Sequence, residues 1–217
     1  MIQSIRAVTF DVGGTLIEPW PSVGHVYAAV AAEHGFANLD PEILNRQFAA
    51  AWRAKKKFDH SPAAWRELVD AAFAGLTQST ESFFPELYER FGKPPSWKIF
   101  DDVFPCLDRL KRRGLKLGVI SNWDERLRPL LRELRLAPFF EAIIISCEQG
   151  CLKPSPRIFE IASELFAVPP PAVLHVGDNR DEDFAGARSV GMSALLLNRH
   201  AQGGQNDIAS LHKLLTD

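Results

Sequence analysis

The chain has 217 residues, of which 46% are hydrophobic and 24% are charged, which is enough for one large or two smaller globular domains. A net charge of −2 gives no general attraction to nucleic acid or to an anionic membrane, so neither is expected as a partner, and no apolar run approaches the roughly 20 residues of a membrane span. Three scattered cysteines, Cys106, Cys147 and Cys151, exclude a disulfide framework and indicate reduced thiols in a cytoplasmic protein.

The chain starts with a predicted strand and continues into helices. The N-terminal stretch "MIQSIRAVTFD" lacks the layout of a signal peptide and contains an apolar run at residues 5–10. Four stripes of apolar residues at helical spacing follow, at residues 23–30, 44–52, 65–76 and 84–91, and Asp40-Pro41 and Ser61-Pro62 open the second and third. Four amphipathic helices in about 80 residues predict a small bundle with a core of its own.

Short apolar runs alternate with helical patterns in the second half of the chain. The runs lie at residues 115–120, 142–146, 172–176 and 194–197, and such continuous apolar character is typical of strands buried on both faces of a parallel sheet. Strands that alternate with helices predict βαβ units. We therefore expect an α/β fold, in which residues 1–17 and 98–217 form a doubly wound, Rossmann-like parallel-sheet core and residues 18–97 form an inserted four-helix domain.

Polar residues with complementary chemistry follow four of the predicted strands. Asp11 follows the first strand, Ser121 follows the run at 115–120, and Lys153 comes after the run at 142–146. Asp178 follows the run at 172–176, with Asp183 five residues further on. The carboxyl ends of strands in an open parallel sheet share one edge, where ligands bind, so these side chains are expected to lie close together.

These residue types suit phosphoryl transfer. An aspartate such as Asp11 can attack phosphorus and form an aspartyl-phosphate, and phosphoryl transfer depends mainly on positioning and charge neutralisation. Ser121 can donate a hydrogen bond to a phosphoryl oxygen, and Lys153 adds positive charge beside a helix N-terminus. Several carboxylates near an anionic substrate would repel it unless they held a cation, and oxygen ligands of this kind suit Mg²⁺.

Four short motifs resemble those of the haloacid dehalogenase (HAD) superfamily of hydrolases, subfamily I, which has a helical cap between its first and second motifs. The matching stretches are "DVGGTL" (11–16), "ISN" (120–122), "KPSP" (153–156) and "VGDNRDED" (176–183). The resemblance covers essentially the whole chain. Within the family, "ISNWDERL" and "VGDNRDEDFAGARSVGM" resemble one branch in particular.

The resemblance implies roles in catalysis and phosphate binding. Asp11 would be the nucleophile. Lys153 would hold the transferring phosphoryl group and offset the repulsion among the neighbouring acids, and Ser121 and Asn122 would bind the phosphate with it. The inserted helices would act as a cap that closes over the site and selects a small phosphorylated metabolite.

The resemblance also implies a Mg²⁺ site. Asp11 and Asp178 would bind the metal directly, and Asp183 would support Asp178 or bind through water. The backbone carbonyl of Gly13 would be a further ligand, because the family binds its metal through the carbonyl at this position.

Gly13 departs from the family pattern. Family phosphatases carry an aspartate there, which protonates the leaving group and then activates the hydrolytic water. Glycine keeps the backbone carbonyl but not the acid, so metal binding is expected to survive while acid–base catalysis, typically worth roughly 10²–10⁴-fold, is lost. Glu18, His25 and Asp124 are candidate replacements, although we favour a structural role for each: a solvated linker residue, part of a helix face and a helix N-cap, respectively.

We therefore expect a Mg²⁺-dependent phosphatase of reduced activity, either monomeric or homodimeric, with two alternatives. One alternative is another hydrolase on the same fold. Family dehalogenases use an aromatic residue two positions after the nucleophile and no metal. The acids Asp178 and Asp183 argue against a metal-free dehalogenase. Phosphonate-cleaving enzymes form an imine with a cap lysine, for which Lys55, Lys56 and Lys57 are candidates, although lysines at a helix C-terminus are usually solvated. The other alternative is a non-catalytic descendant that binds a phosphorylated ligand or a protein.

Overall fold

The computed structural model describes residues 4–55, 58–199 and 207–215. The chain forms two compact units, one made of Met1–Ile17 and Ile99–Asp217 and the other of Glu18–Lys98. We refer to them as the sheet unit and the helical unit. Within the described ranges, no helix combines the length and the apolar character needed to cross a membrane.

The strands of the sheet unit form one parallel sheet. In chain order, the strands of the described residues are β1 (Ala7–Phe10), β2 (Ile17–Pro19), β3 (Trp97–Ile99), β4 (Lys116–Ser121), β5 (Ala142–Ile145), β6 (Val173–Gly177), β7 (Ser193–Leu197) and β8 (Asp207–Ile208). The sheet has the order β5-β4-β1-β6-β7-β8, and each neighbouring pair runs parallel. β2 and β3 pair separately as a two-stranded ribbon. The predicted α/β, Rossmann-like fold is confirmed.

Helices connect these strands or form the insert. In chain order they are α1 (Val23–Glu33), α2 (Pro41–Ala54), α3 (Pro62–Ala72), α4 (Phe84–Arg90), α5 (Val103–Arg112), α6 (Leu127–Glu133), α7 (Ser146–Gln149), α8 (Pro156–Phe166) and α9 (Gly186–Ser189). A π-helical turn, Arg180–Ala185, precedes α9. The helical unit contains α1 to α4, and the sheet unit contains the others.

The central strands are apolar throughout because both faces of the sheet are covered. Every residue of β1 and of β6 is buried. One buried cluster joins Ile120 of β4 and Ile144 of β5 to Phe159 and Phe166 of α8. Full burial of a side chain of this size contributes about 1.5–3 kcal/mol, so the cluster fixes the strands whose carboxyl ends carry the polar residues.

The helical unit has an aromatic core of its own. Tyr27 of α1 stacks on Phe73 with ring centroids 5.5 Å apart, and Phe73 lies 5.0 Å from Phe83. The side chains of Asp40 and Ser61 accept hydrogen bonds from backbone N–H groups of α2 and α3, and such N-caps satisfy donors that the first helical turn leaves unpaired. The four helices therefore bury a shared apolar cluster.

Three details differ from the sequence-based expectations. The third helix ends at Ala72 rather than continuing to Leu76, and Gly75 adopts a φ of 75°, which interrupts a right-handed helix. The ribbon of β2 and β3 was not predicted, nor was the edge strand β8, because runs of two or three residues carry no readable periodicity.

Candidate active site

The predicted site residues lie at the carboxyl edge of the sheet. Asp11 comes directly after β1, Ser121 is the last residue of β4, and Asp178 comes directly after β6. β1 pairs with both β4 and β6, so the three residues follow neighbouring parallel strands. Lys153 reaches the same edge from the loop between α7 and α8.

Ser121 and Lys153 both contact Asp11. The hydroxyl of Ser121 donates to Asp11 Oδ1 at 3.0 Å, and the Lys153 ammonium donates to the same oxygen at 2.6 Å. All three residues are buried. Among the described residues, no hydrogen bond reaches Asp11 Oδ2, so this oxygen is open to an incoming phosphorus atom or a cation.

Asp183 holds Lys153 from the other side. Its Oδ1 accepts a hydrogen bond from Lys153 Nζ at 2.5 Å and lies 3.1 Å from His175 Nε2, while its Oδ2 accepts from the backbone N–H of Asn179 at 3.0 Å. His175 Nδ1 in turn lies 2.9 Å from Thr9 Oγ1, a pair that the β1–β6 register places side by side. Asp183 therefore orients Lys153, and protein groups already contact both of its carboxylate oxygens.

Burial and mutual repulsion shift the ionisation of these groups. Burial raises the pKa of Asp11. Attraction to Lys153 lowers this pKa, and repulsion by Asp183 raises it further, so that the net shift is upward. Asp178 keeps exposed surface, but the loss of solvent around its carboxyl group, together with repulsion by Asp11 and Asp183, raises its pKa to about 7.

Attraction dominates for the Lys153–Asp183 pair. Burial alone would raise the pKa of Asp183, but Lys153 and His175 hold that pKa well below its usual range. Burial alone would lower the pKa of Lys153, but Asp11 and Asp183 hold it above its usual value. Lys153 is therefore a cation and Asp183 an anion throughout the physiological pH range.

The three aspartates form a cluster that fits a divalent cation. One carboxylate oxygen from each of Asp11, Asp178 and Asp183 lies within 4.8 Å of the others. Lys153 neutralises part of their charge, while burial, together with repulsion by Asp11 and Asp183, raises the pKa of Asp178. A hard cation with oxygen ligands, such as Mg²⁺, suits this donor set. Protein donors engage both carboxylate oxygens of Asp183 but only Oδ1 of Asp11, so Asp11 and Asp178 are better placed than Asp183 for direct contact with a cation.

Two glycines allow the acids to approach this closely. A Cβ atom on Gly14, which has a φ of 74°, would overlap the carboxylate of Asp178. A Cβ atom on Gly177 would overlap the carboxyl group of Asp183. Glycine is the residue that permits close approach of a neighbour to the backbone, so both positions are tied to the geometry of the acid cluster.

The side chain of Asn122, which was predicted to bind phosphate, is engaged with the Lys153 loop. Its amide oxygen accepts from the backbone N–H of Lys153 at 2.7 Å, and its amide nitrogen donates to the Lys153 carbonyl at 3.0 Å. The same nitrogen donates to Glu182 Oε2 at 3.1 Å. Asn122 therefore positions the lysine, whereas Ser121 is the residue of this motif whose side chain contacts Asp11.

Gly13 lies beside the ring of Trp123. It belongs to the turn after β1, where it forms an isolated bridge with Ile17. A Cβ atom built on Gly13 would lie 3.3 Å from Cζ3 and 3.9 Å from Cη2 of Trp123, and the first distance is inside the 3.5–4.0 Å at which carbon atoms pack favourably. The space next to the position that carries the acid in family phosphatases is thus occupied by an indole ring.

The three candidate replacements for that acid have different surroundings. Asp124 is buried and accepts hydrogen bonds from Arg126 Nε at 2.8 Å and Nη2 at 2.6 Å, so it is part of an ion pair rather than the N-cap of α6, which starts after Arg126. Glu18 and His25 belong to the helical unit. His25 is exposed, and its Nδ1 lies 2.8 Å from the hydroxyl of Ser22.

Lys55, one of the three lysines that could form an imine, directly follows α2. Lys55 Nζ lies 3.3 Å from the centroid of the Trp52 ring, a contact in which the aromatic face attracts the ammonium group. Lys56 and Lys57 lie outside the described residues.

Two residues that contribute to the site were missed at the sequence level. His175 lies in the middle of β6 and contacts Asp183, and Trp123 packs against Gly13. A histidine inside an otherwise apolar strand was the signal for the first, because a fully buried imidazole needs polar partners. No local pattern identifies the second, because the ring and the glycine are distant in sequence.

The chain resembles known hydrolases along almost its whole length. A family model described as haloacid dehalogenase-like hydrolase matches residues 5–191. Haloacid dehalogenase-like hydrolase domain-containing protein 3 of Homo sapiens is 34% identical over 206 residues, which cover 89% of this chain and 82% of that protein. This is the branch that the two longer motif stretches resemble, and the similarity to it is confirmed.

Solved structures agree with this assignment. A HAD phosphatase from Thermococcus onnurineus is 26% identical and superposes with a TM-score of 0.70 over 97% of this chain and 96% of that one. A 2-haloacid dehalogenase from Pseudomonas syringae pv. Tomato is 27% identical, with a TM-score of 0.67 and the same coverage. The chain therefore belongs to the haloacid dehalogenase-like hydrolase family.

Proposed function

We propose that the protein is a phosphatase that hydrolyses a small phosphorylated metabolite in the cytoplasm through an aspartyl-phosphate at Asp11. The observation that carries this proposal is the convergence of Ser121 Oγ and Lys153 Nζ on Asp11 Oδ1, at 3.0 and 2.6 Å. Two donors at this spacing suit the oxygens of a phosphoryl group bound in front of the carboxylate.

The residues have distinct parts in the proposed reaction. Asp11 Oδ2 attacks phosphorus, and the bond from phosphorus to the leaving oxygen breaks. Ser121 and Lys153 turn their hydrogen bonds toward the phosphoryl oxygens and balance the charge that develops there. Water then attacks phosphorus, the Asp11–phosphorus bond breaks, and the free carboxylate is restored. Asp183 keeps the Lys153 ammonium in place during both steps.

Asp11, Asp178 and the Gly13 carbonyl would hold Mg²⁺, and Asp183 would support Asp178 or bind the ion through water. The ion would neutralise charge on the phosphoryl group and orient it for in-line attack. Gly13 supplies no acid, so the leaving group departs without a proton from this position. Turnover is then slow for alkyl esters and faster for esters whose leaving group is a stable anion.

A dehalogenase is the second candidate, and the Trp123 ring favours it. Family dehalogenases place an aromatic side chain two residues after the nucleophile, and Trp123 brings a ring to the space beside Gly13. The cluster of Asp11, Asp178 and Asp183 favours the phosphatase, because three carboxylates around an anionic 2-haloacid would repel it unless a cation were bound.

A paired assay separates these functions. Phosphate release from p-nitrophenyl phosphate and from a set of metabolite phosphates is measured with Mg²⁺ or with EDTA, and chloride release from L-2-chloropropionate is measured in parallel. We expect Mg²⁺-dependent phosphate release and no chloride release. Asp11→Asn should abolish the activity, while Asp108→Asn, at an exposed aspartate on α5, should not change it.

The outcomes are distinct. Chloride release that depends on Asp11 and not on Mg²⁺ would establish the dehalogenase. Phosphate release that persists in Asp11→Asn would exclude the covalent mechanism. Because water attack lacks an acid–base partner, the aspartyl-phosphate should accumulate during turnover, and mass spectrometry of the acid-quenched protein should find the added phosphate on the peptide that contains Asp11.

A further inference from the structure

We propose that Trp123 takes the place of the side chain missing at position 13 and makes the site selective for aryl phosphates. The inference rests on the proposed phosphatase activity. Trp123 would recognise the leaving group, and glycine at position 13 would leave room for its ring.

Packing, rather than backbone conformation, is what disfavours a side chain at position 13. Gly13 is absent from the residues with positive φ, so its backbone would accept another residue. The ring of Trp123 is what a Cβ atom would meet, at 3.3 Å. The backbone that carries this ring is fixed by Ser146, because the N–H of Trp123 donates to Ser146 Oγ at 3.0 Å and the Ser146 hydroxyl donates to the Trp123 carbonyl at 3.1 Å.

Two short chain connections link the ring to Asp11. Trp123 is two residues after Ser121, whose hydroxyl contacts Asp11, and the glycine it packs against is two residues after Asp11. Trp123 is only half-buried. In the proposed complex, the exposed part of this residue faces the group bound at Asp11.

The chemistry of the leaving group follows from the missing acid. When Asp11 attacks, the electron pair of the breaking bond stays on the leaving oxygen. A phenol has a pKa of about 10, so an aryl oxide can leave as the anion, whereas an alkoxide, with a basicity close to that of hydroxide, needs a proton. Water then adds to phosphorus, the Asp11–oxygen–phosphorus link opens, and the proton of the water passes to phosphate or solvent.

An aromatic leaving group gains a second advantage from Trp123. Aromatic rings pack in offset or edge-to-face arrangements that are more favourable than area burial alone. Acyl phosphates also have good leaving groups but offer no ring. The comparison of an aryl phosphate with an acyl phosphate therefore isolates the contribution of Trp123 from that of leaving-group basicity.

The packing of the pair is tested first, by stability and without any activity. Gly13→Ala is introduced into the natural protein and into Trp123→Leu, and Tm is measured for all four proteins. We expect Gly13→Ala to lower Tm beside the tryptophan and to have little effect beside leucine. An equal loss in both backgrounds would show that the ring does not restrict position 13 and would overturn the proposal.

The selectivity is tested with phenyl phosphate, acetyl phosphate and glycerol 1-phosphate. In Trp123→Leu, we expect kcat/KM for phenyl phosphate to fall about three- to tenfold and that for acetyl phosphate to stay unchanged, with Trp123→Phe restoring most of the loss. Phe104→Leu, at an exposed aromatic residue of α5, is the matched control and should change neither. An equal fall in kcat/KM for phenyl phosphate and for acetyl phosphate would overturn the proposed preference for aryl phosphates.

The acid can then be returned to the site. With Trp123 present, Gly13→Asp should raise the rate of glycerol 1-phosphate hydrolysis only slightly. In Trp123→Leu, the same substitution should raise this rate by about tenfold or more. An equal increase in both backgrounds would contradict the proposal. If the natural protein hydrolyses none of the three esters in an Asp11-dependent way, the proposed function is wrong and the aryl preference falls with it. The Tm measurements would still decide whether Trp123 and Gly13 form a packing pair.

Discussion

At the scale of single residues, the ionisation of Asp178 has a consequence for stability. Its pKa is about 7 in the folded protein against a usual value of 3.8. Between these values the folded state binds more protons than the unfolded state, so this group lowers the free energy of unfolding as the pH rises from about 4 to about 7. In metal-free protein, Asp178→Asn abolishes this decrease in the free energy of unfolding, and we expect Tm at pH 8 to increase by roughly 2–4 °C.

Thermal unfolding in EDTA at several pH values measures this effect. The gain should shrink as the pH falls from 7 to 4 and disappear below that, where the carboxyl group of the natural protein becomes protonated in both states, and Asp108→Asn should show no gain. Adding Mg²⁺ should raise the Tm of the natural protein and leave that of Asp178→Asn nearly unchanged. A gain that is independent of pH would mean that the ionisation of this carboxyl group is not its cause.

Lys153 is the residue on which the charge balance of the site depends most. It is buried between Asp11 and Asp183, and removing one member of a buried ion pair leaves an uncompensated charge. We expect Lys153→Met to lower the free energy of unfolding by about 3–5 kcal/mol and phosphatase activity by about 10²–10³-fold. Urea unfolding and initial rates measure the two effects.

Lys111→Met is the matched control, because Lys111 is exposed near the end of α5. It should change stability by less than about 1 kcal/mol. In Lys153→Met, the further substitution Asp183→Asn should recover part of the lost stability, since it removes one of the two negative charges that Lys153 balanced. A second loss of stability on top of the first would contradict this view of the charge balance.

At the scale of elements, the loop that carries Lys153 is joined to β4 through Asn122. The Asn122 amide forms one hydrogen bond with the N–H and another with the carbonyl of Lys153. We expect Asn122→Ala to lower the free energy of unfolding by about 1–3 kcal/mol. Phosphatase kcat should fall by up to about 10²-fold with a smaller change in KM, because a misplaced ammonium weakens the transition state more than it weakens binding.

Gln149→Ala removes an exposed amide from α7 and should leave kcat unchanged. If Asn122→Ala raises KM instead and keeps kcat, Asn122 contributes to substrate binding rather than to the position of Lys153.

Much of the arrangement of elements could be predicted from the sequence. β1, β4 and β6 are buried on both faces, so their apolar runs were readable, and the parallel topology placed Asp11, Ser121 and Asp178 at one edge. The contacts between side chains could not be predicted in the same way. They depend on register between strands, as with Thr9 and His175, or on a ring that meets a glycine of another strand connection, as with Trp123.

At the scale of the whole molecule, the two units have separate buried cores. Phe73 is fully buried in the core of the helical unit. We expect Phe73→Ala to cost about 3–5 kcal/mol and to speed amide hydrogen exchange in α1 to α4, while exchange in β1, β4 and β6 stays unchanged.

Leu165→Ala, at an exposed leucine of α8, should alter exchange in neither unit. Hydrogen exchange followed by mass spectrometry resolves the two sets of peptides. Equal loss of protection in both units after Phe73→Ala would show that the chain unfolds as one cooperative body.

The position of β1 between β4 and β6 determines when the site is assembled during protein synthesis. Asp11 leaves the ribosome well before its partner Lys153 and before Asp183, which orients Lys153; these two follow roughly 140 and 170 residues later, which at about 5–20 residues per second is on the order of 10–30 s. Until then, Asp11 is an ordinary hydrated aspartate on a strand without neighbours. In a nascent chain the cluster around Asp11 is therefore incomplete until Asp183 has been translated.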